Sequence, residues 1–209
     1  MHRCLLIWAH SKFYNVPSRL AVLLRQMGNA LVERAREFVD HEAIFNLEPQ
    51  EGLERLNAAL EVCAAFKAAY FEARDASSDL CPDNEWKFQN AVIFARLDLF
   101  IERCHDLHEL ALTVVQFARL ERIELGGNQG KKLSASIAQM HTDFGATLDA
   151  FKRIEYDVLD IADKSFDDDF YVFRTDVKQV ERRLSGMLNQ VRHRPCTLFE
   201  PPPPAHTHP

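Results

Sequence analysis

Glycine and proline are scarce in most of this 209-residue chain. It contains seven glycines and nine prolines, and most of the prolines fall within residues 195–209. Both residue types interrupt helices and form turns. Their scarcity before residue 195 argues against an architecture of many short elements and favours a few long ones.

Cysteine is also sparse, and its spacing is irregular. The five cysteines are Cys4, Cys63, Cys81, Cys104 and Cys196. The number is odd and there is no C-x-x-C pair, so the pattern predicts no disulfide framework. A reducing cytoplasmic compartment fits this usage best.

Long apolar runs and an excess of positive charge are missing as well. The apolar stretch at residues 4–9 covers six residues, too few for a signal peptide core or a membrane span. The net charge is −6, and acidic and basic residues are interspersed. Nucleic-acid binding requires a basic face, so we expect neither a nucleic-acid partner nor a membrane.

The chain does contain apolar residues at helical spacing, with steps that alternate between three and four. One such stripe consists of Ile93, Leu97, Phe100, Cys104, Leu107, Ala111, Val114 and Ala118. A second consists of Phe166, Phe170, Phe173, Val177, Val180, Leu184, Met187 and Val191. This spacing places one apolar stripe on each helix and requires a helical partner for it.

The same periodicity predicts an all-α fold. We expect five long helices, at about Pro17–Phe38, Pro49–Asp75, Asn90–Glu121, Leu133–Ile154 and Ser165–Gln190. The third would extend on the order of 45 Å at 1.5 Å per residue, so an elongated bundle is expected. This helical region would cover residues 1–194, followed by a disordered proline-rich tail at 195–209.

A glycine-rich segment between the third and fourth predicted helices invites comparison with a phosphate-binding loop. It contains Gly126, Gly127 and Gly130, followed by Lys131 and Lys132. The phosphate loop needs a glycine five positions before the Gly-Lys pair and a hydroxyl residue after the lysine; this chain has Leu125 and Lys132 there. We therefore interpret the three glycines as a structural turn between two helices.

Two further groups could suggest metal chemistry. Cys104, His105, His108 and Glu109 share one stretch of helix, and Asp160, Asp163 and residues 167–169 form an acidic cluster. A metal bound by the first group would need two further ligands, and the sequence does not indicate which residues could supply them. The second group lacks the glycine and the terminal glutamate of a calcium loop. We expect no catalytic residue, no cofactor and no metal ligand, and we keep a small helical metal-binding protein as an alternative.

Six segments follow one another along the chain in an informative order. They are residues 14–20 (YNVPSRL), 86–88 (WKF), 94–103 (FARLDLFIER), 117–127 (FARLERIELGG) with Gly130, Lys131 and Leu133, 166–170 (FDDDF) and 181–184 (ERRL). In this order they resemble the N-terminal tail of dynein heavy chains, particularly axonemal forms. The resemblance covers roughly residues 5–190. No single piece is decisive, but the ordered combination is specific.

The resemblance implies a non-catalytic stem segment of a microtubule motor in the cytoskeleton, with the ciliary axoneme as the expected location and cilium movement as the process. It implies dynein heavy-chain tails, intermediate chains and light chains as partners, and an ATP-hydrolysing ring far downstream. An acidic segment is also a poor ligand for the acidic microtubule surface, so direct contact is not expected. After Gln190 the chain departs from the family pattern, which we interpret as a truncated product, a partial gene model or a tail-only paralogue.

The predicted mechanism is the burial of unpaired apolar stripes against neighbouring chains. The residues expected to contribute are Leu97, Phe100, Leu107, Val114, Phe173, Val177 and Leu184. A stand-alone helical bundle that regulates assembly, by occupying the binding sites of the tail, is the main alternative.

Overall fold

A computed structural model describes residues 1–42, 44–81, 86–120 and 127–192. Within these ranges the chain forms six α-helices and no β-strand. The helices are α1 (His2–His10), α2 (Pro17–Val39), α3 (Pro49–Leu80), α4 (Asn90–Ala118), α5 (Gly127–Lys152) and α6 (Ser165–Arg192). The all-α prediction is confirmed, whereas the expected tail at residues 195–209 lies outside the described residues.

Helices α2, α3 and α4 pack closely on one another, and α1 rests on α3. Their shared core contains Leu20, Leu24, Leu56, Cys63, Tyr70, Phe94, Leu97, Phe100 and Leu107, together with Trp8 and Trp86. The aromatic rings meet mainly edge to face; Tyr70 and Phe94, for example, have centroids 5.0 Å apart. This arrangement is favoured by the ring quadrupoles.

Helices α5 and α6 form an antiparallel hairpin that contacts the other helices mainly through α4. Six phenylalanines join the hairpin to α4. Phe117 of α4 stacks on Phe144 of α5 with centroids 4.1 Å apart, and Phe144 contacts Phe173 of α6. Phe151 then connects Phe173 to Phe166, which stacks on Phe170. We call this group the phenylalanine series.

The loop at residues 153–164 that joins α5 to α6 is built on aspartates spaced three apart. The carboxylates of Asp157, Asp160 and Asp163 each accept a hydrogen bond from the backbone amide two residues later, at 2.8, 2.9 and 2.9 Å. Such side-chain turns are typical of aspartate. The aspartates upstream of α6 therefore serve to fix the backbone conformation of this loop.

The helix boundaries differ from the predicted ones in several places. Helix α1 was not predicted, α3 continues five residues past Asp75, and α4 ends at Ala118 rather than Glu121. Helix α5 begins at Gly127 rather than Leu133 and ends at Lys152 rather than Ile154, whereas α6 continues to Arg192.

The glycine turn is also shorter than predicted. Gly127 has a φ of +77°, the left-handed conformation that glycine adopts at low cost. Gly130 lies within the first turn of α5 rather than in the connection, and Gly126 lies outside the described residues.

Candidate functional site

The apolar residues predicted to contact partners lie mostly inside the chain. Leu97, Phe100, Leu107, Phe173 and Val177 are all buried, with at most 7% of their surface exposed. Val114 and Leu184 are half-buried and pack against the same core. The stripe positions from Ile93 to Leu107 and from Phe166 to Val180 are therefore covered by the chain's own helices, whereas Ala118 at the end of the α4 stripe is exposed. Contact of the seven predicted residues with a partner chain stays a prediction.

Arg103 is the charged residue that the sequence reasoning missed. It lies on α4 next to the apolar stripe, and only 4% of its surface is exposed. Its guanidinium donates to the carbonyl oxygens of Val158 (2.7 Å), Asp160 (3.3 Å) and Asp163 (3.3 Å). It also pairs with the Asp167 carboxylate at 3.1 Å and stacks over the Phe166 ring at 4.0 Å.

A second arginine holds the same loop from α2. Arg36 pairs with Asp157 at 2.6 Å. Partial burial lowers the pKa of Arg36, but the hydrogen bond to Asp157 and the nearby carboxylates raise it by more, so the pKa is raised overall. The α5–α6 loop is therefore held from α4 and from α2 by guanidinium groups. A planar guanidinium with five donors suits such multiple contacts better than an ammonium.

The Cys104 group does not form a metal site in this arrangement. Cys104 is fully buried between helices, and its thiol has a pKa raised to about 12, mainly by burial. His105 is exposed on another face of the helix. Among the described residues, no three His, Cys, Asp or Glu side chains are arranged to hold a metal ion.

The α4 surface that points away from the core has a heptad-spaced stripe of its own. It consists of Val92, Ala95, Leu99, Glu102 and Asp106, which we call the outer α4 face. The first four are exposed and Asp106 is half-buried. The exposed fractions of Val92 and Leu99 are 48% and 43%, so the face presents two aliphatic side chains one heptad apart.

A cleft between α4 and α6 continues this face. Its volume is about 370 Å³, and it is lined by Leu99, Glu102, Asp106, Tyr171 and Arg174, among others. Tyr171 is 73% exposed. The pKa of Asp106 is raised, first by burial and then by the neighbouring Glu102 carboxylate.

The basic groups at the cleft are already engaged. Arg103 is bound to the loop, Lys164 pairs with Asp167 at 3.2 Å, and Arg174 pairs with Glu109 at 3.0 Å. By contrast, neither Glu102 nor Asp106 accepts a hydrogen bond or forms an ion pair within 4 Å in the part of the chain that the structure describes. The cleft thus presents two unpaired carboxylates beside exposed apolar side chains.

None of the helices in the described ranges is long and apolar enough to cross a membrane.

Comparison with known proteins identifies the relatives of this chain. A family model described as dynein heavy chain, N-terminal region 1, matches residues 1–195. The dynein beta chain of the flagellar outer arm from Chlamydomonas reinhardtii is 43% identical over 190 residues, which is 91% of this chain and 4% of that protein. The ciliary dynein beta chain of Heliocidaris crassispina is 35% identical over 194 residues, again 91% of this chain and 4% of the relative.

A human relative, dynein axonemal heavy chain 9, is 29% identical over 194 residues, with the same coverage of 91% and 4%. The chain thus spans about 4% of the length of the curated relatives that it matches. The match lies in the N-terminal region of the family and includes axonemal members. This chain belongs to the dynein heavy chain family and matches the N-terminal region of its axonemal members.

Proposed function

We propose that this chain acts as a non-catalytic tail segment of an axonemal dynein heavy chain. In this role it associates with heavy-chain tails and carries intermediate and light chains, in the cytoskeleton of the ciliary axoneme, and so serves microtubule-based cilium movement. The observation that carries the proposal is the family match over residues 1–195 together with 43% identity to a flagellar outer-arm beta chain.

The helical architecture supports a scaffold role. Helices α3 and α4, with 32 and 29 residues, extend about 48 and 43 Å at 1.5 Å per residue. Long helices offer extended surfaces for partner helices. Of the residues predicted for partner contact, Val114 and Leu184 are half-buried and remain our proposal for direct contact. The five buried ones support the surface from beneath.

A second candidate is a stand-alone bundle that regulates assembly by occupying binding sites of the tail. The observation that favours it is the burial of most of both heptad stripes, from Ile93 to Leu107 and from Phe166 to Val180, because a bundle whose main seams are covered needs no partner to fold. The two candidates differ in whether the chain joins a complex or blocks one.

Light scattering coupled to size-exclusion chromatography tests both candidates. The purified full chain is mixed with an axonemal heavy-chain tail and, separately, with an intermediate chain. A complex with additive mass is expected for a tail segment, whereas dissociation of a preformed pair of heavy-chain tails is expected for a regulator. If the chain elutes alone in every mixture and leaves the pair intact, both candidates are refuted.

Location in the cell provides a separate test. A fluorescently tagged chain in a ciliated cell is expected to remain with the axoneme after the membrane has been removed with detergent. Complete release into the detergent extract would contradict the axonemal part of the proposal.

A further inference from the structure

The outer α4 face has the geometry of a second helix-packing seam. The steps from Val92 through Ala95, Leu99 and Glu102 to Asp106 are three, four, three and four residues. At 100° per residue these positions lie within a stripe centred well over 100° away from the core stripe of Leu97, Phe100 and Leu107. Alternating steps of three and four are the pattern on which a second helix packs.

The seam is apolar at one end and acidic at the other. Val92 and Leu99 lie seven residues apart and are both close to half exposed, while the exposed Tyr171 ring lies across the cleft from Leu99. One heptad beyond Leu99 the apolar side chain is replaced by Asp106, with Glu102 beside it. An apolar face that ends in two carboxylates complements a helix that is aliphatic at one end and basic at the other.

The charges in the cleft favour a cation from outside the chain. Arg174 and Arg103 are close enough to lower the pKa of Asp106, but burial and the Glu102 carboxylate raise it by more. Both arginines are bound to other groups, and Lys164 pairs with Asp167. Half-burial makes the unpaired charge of Asp106 costly, and its raised pKa has the same cause. A lysine or arginine inserted between Asp106 and Glu102 would relieve this cost while its aliphatic stem packs on Leu99 and Tyr171.

We propose that the outer α4 face and the α4–α6 cleft bind an amphipathic helix of another chain, which presents two aliphatic residues and then a lysine or arginine at successive heptad positions. From Val92 to Asp106 the face spans fifteen residues, a rise of about 21 Å along the helix. A partner segment of about four helical turns therefore covers it. The inference rests on the proposed tail function, to which it adds the surface and the chemistry of a partner.

Synthetic peptides test the chemistry of the partner directly. A labelled helix-forming peptide with leucine at two successive heptad positions and lysine at the third is titrated with the full chain, and binding is followed by fluorescence anisotropy. A matched peptide has glutamate in place of the lysine. Binding of the lysine peptide is expected, with the glutamate peptide several-fold weaker and the difference shrinking at high salt.

Variants of the chain locate the binding. Leu99→Ser should weaken binding of the lysine peptide by about tenfold. The double change Glu102→Gln with Asp106→Asn should weaken it about fivefold at low salt. Matched controls on exposed positions of α3, Val62→Ser and Glu61→Gln, should leave it unchanged. All variants alter surface or half-buried positions, and the circular dichroism spectrum of each one should match that of the wild-type chain.

The outcomes separate this inference from the proposed function. The inference is overturned if the wild-type chain binds neither peptide, if the Leu99 and control variants bind equally, or if the chain alone forms a dimer that Leu99→Ser abolishes, since the occupant is then a second copy. If the wild-type chain binds a heavy-chain tail and the cleft variants bind it equally well, only the inference fails. If the wild-type chain binds the lysine peptide but no dynein chain, the tail function fails instead.

Discussion

Replacement of Arg103 by methionine should destabilise the chain far more than loss of an ordinary surface arginine. The change keeps most of the side-chain volume but removes the guanidinium that bonds to three loop carbonyls and to Asp167. The Val158 carbonyl would then be left buried without this donor. The contact of the guanidinium with Phe166 would also be lost.

The expected loss can be estimated from these contacts. A hydrogen bond from a charged donor contributes about 1.5–3 kcal/mol, and removal of one member of a buried charged group costs about 3–5 kcal/mol. Water can reach the partly buried carbonyls of Asp160 and Asp163, which lowers the sum. We therefore expect a decrease of about 3 kcal/mol in the free energy of unfolding. Arg103→Lys should give a smaller decrease, because one ammonium cannot reach all the acceptors.

The same helix provides a matched control. Arg96 pairs with Glu33 on α2, and the two side chains are 39% and 48% exposed. Exposed pairs of this kind contribute less than about 1 kcal/mol, so Arg96→Met should have a small effect. Both variants remove one arginine from α4, so the two variants have the same net charge as each other.

Urea unfolding followed by circular dichroism measures the difference, and hydrogen exchange localises it. The amides of Leu159 and Ala162 bond to loop aspartates and should exchange faster in Arg103→Met but not in Arg96→Met. If the two methionine variants lose equal stability and the loop amides remain protected, Arg103 does not hold the loop.

Three further predictions concern the core, the cleft and the thiols. Phe144→Ala should lower the free energy of unfolding by about 3–5 kcal/mol, because its buried ring contacts Phe117 and Phe173. Tyr171→Ala is the control at a 73% exposed position. It should change the free energy of unfolding by less than about 0.5 kcal/mol in the same urea assay. Since the raised pKa of Asp106 means that the folded state holds the proton more tightly, the charged form opposes folding as pH rises through the ordinary range of aspartate. Asp106→Asn should therefore be more stable than wild type at neutral pH, with the gap closing in acid, and thermal melts at several pH values that show no such gap would contradict this. Burial raises the thiol pKa of Cys63 to about 11 and of Cys104 to about 12, so alkylation of the folded chain should label the partly exposed Cys81 before either of them, as mass spectrometry would record.

The existence of the five long helices could be predicted from periodicity, because their apolar faces must be buried whatever the partner. Their ends depended on contacts that the sequence does not display. Helix α3 continues through Ser77 because this serine lies in the core, where its hydroxyl donates to the Arg74 carbonyl at 2.6 Å and accepts from the Trp86 amide at 3.0 Å. Taken alone, the same serine favours a break in the helix.

The candidate site was harder to predict, for a different reason. A heptad stripe shows that a helix face must be covered, but not whether the cover comes from the same chain. The stripe through Leu97 and Leu107 is covered internally. The weaker stripe through Val92 and Leu99 could not be recognised from apolar periodicity, because two of its five positions are acidic. Arg103 had one available signal in the sequence, since this charged residue lies about 60° around the helix from the core position Phe100.

The positions of the two tryptophans decide what an optical probe of this chain would report. Trp8 and Trp86 both lie against Phe88 beside the α3–α4 core, and the α5–α6 hairpin contains only Tyr156 and Tyr171 as intrinsic fluorophores brighter than phenylalanine. Tryptophan emission therefore reports the unfolding of the first four helices and does not report that of the hairpin, whereas circular dichroism reports the loss of helix in both. A hairpin that melts early would appear as an ellipticity loss that precedes the emission change, without any label being added.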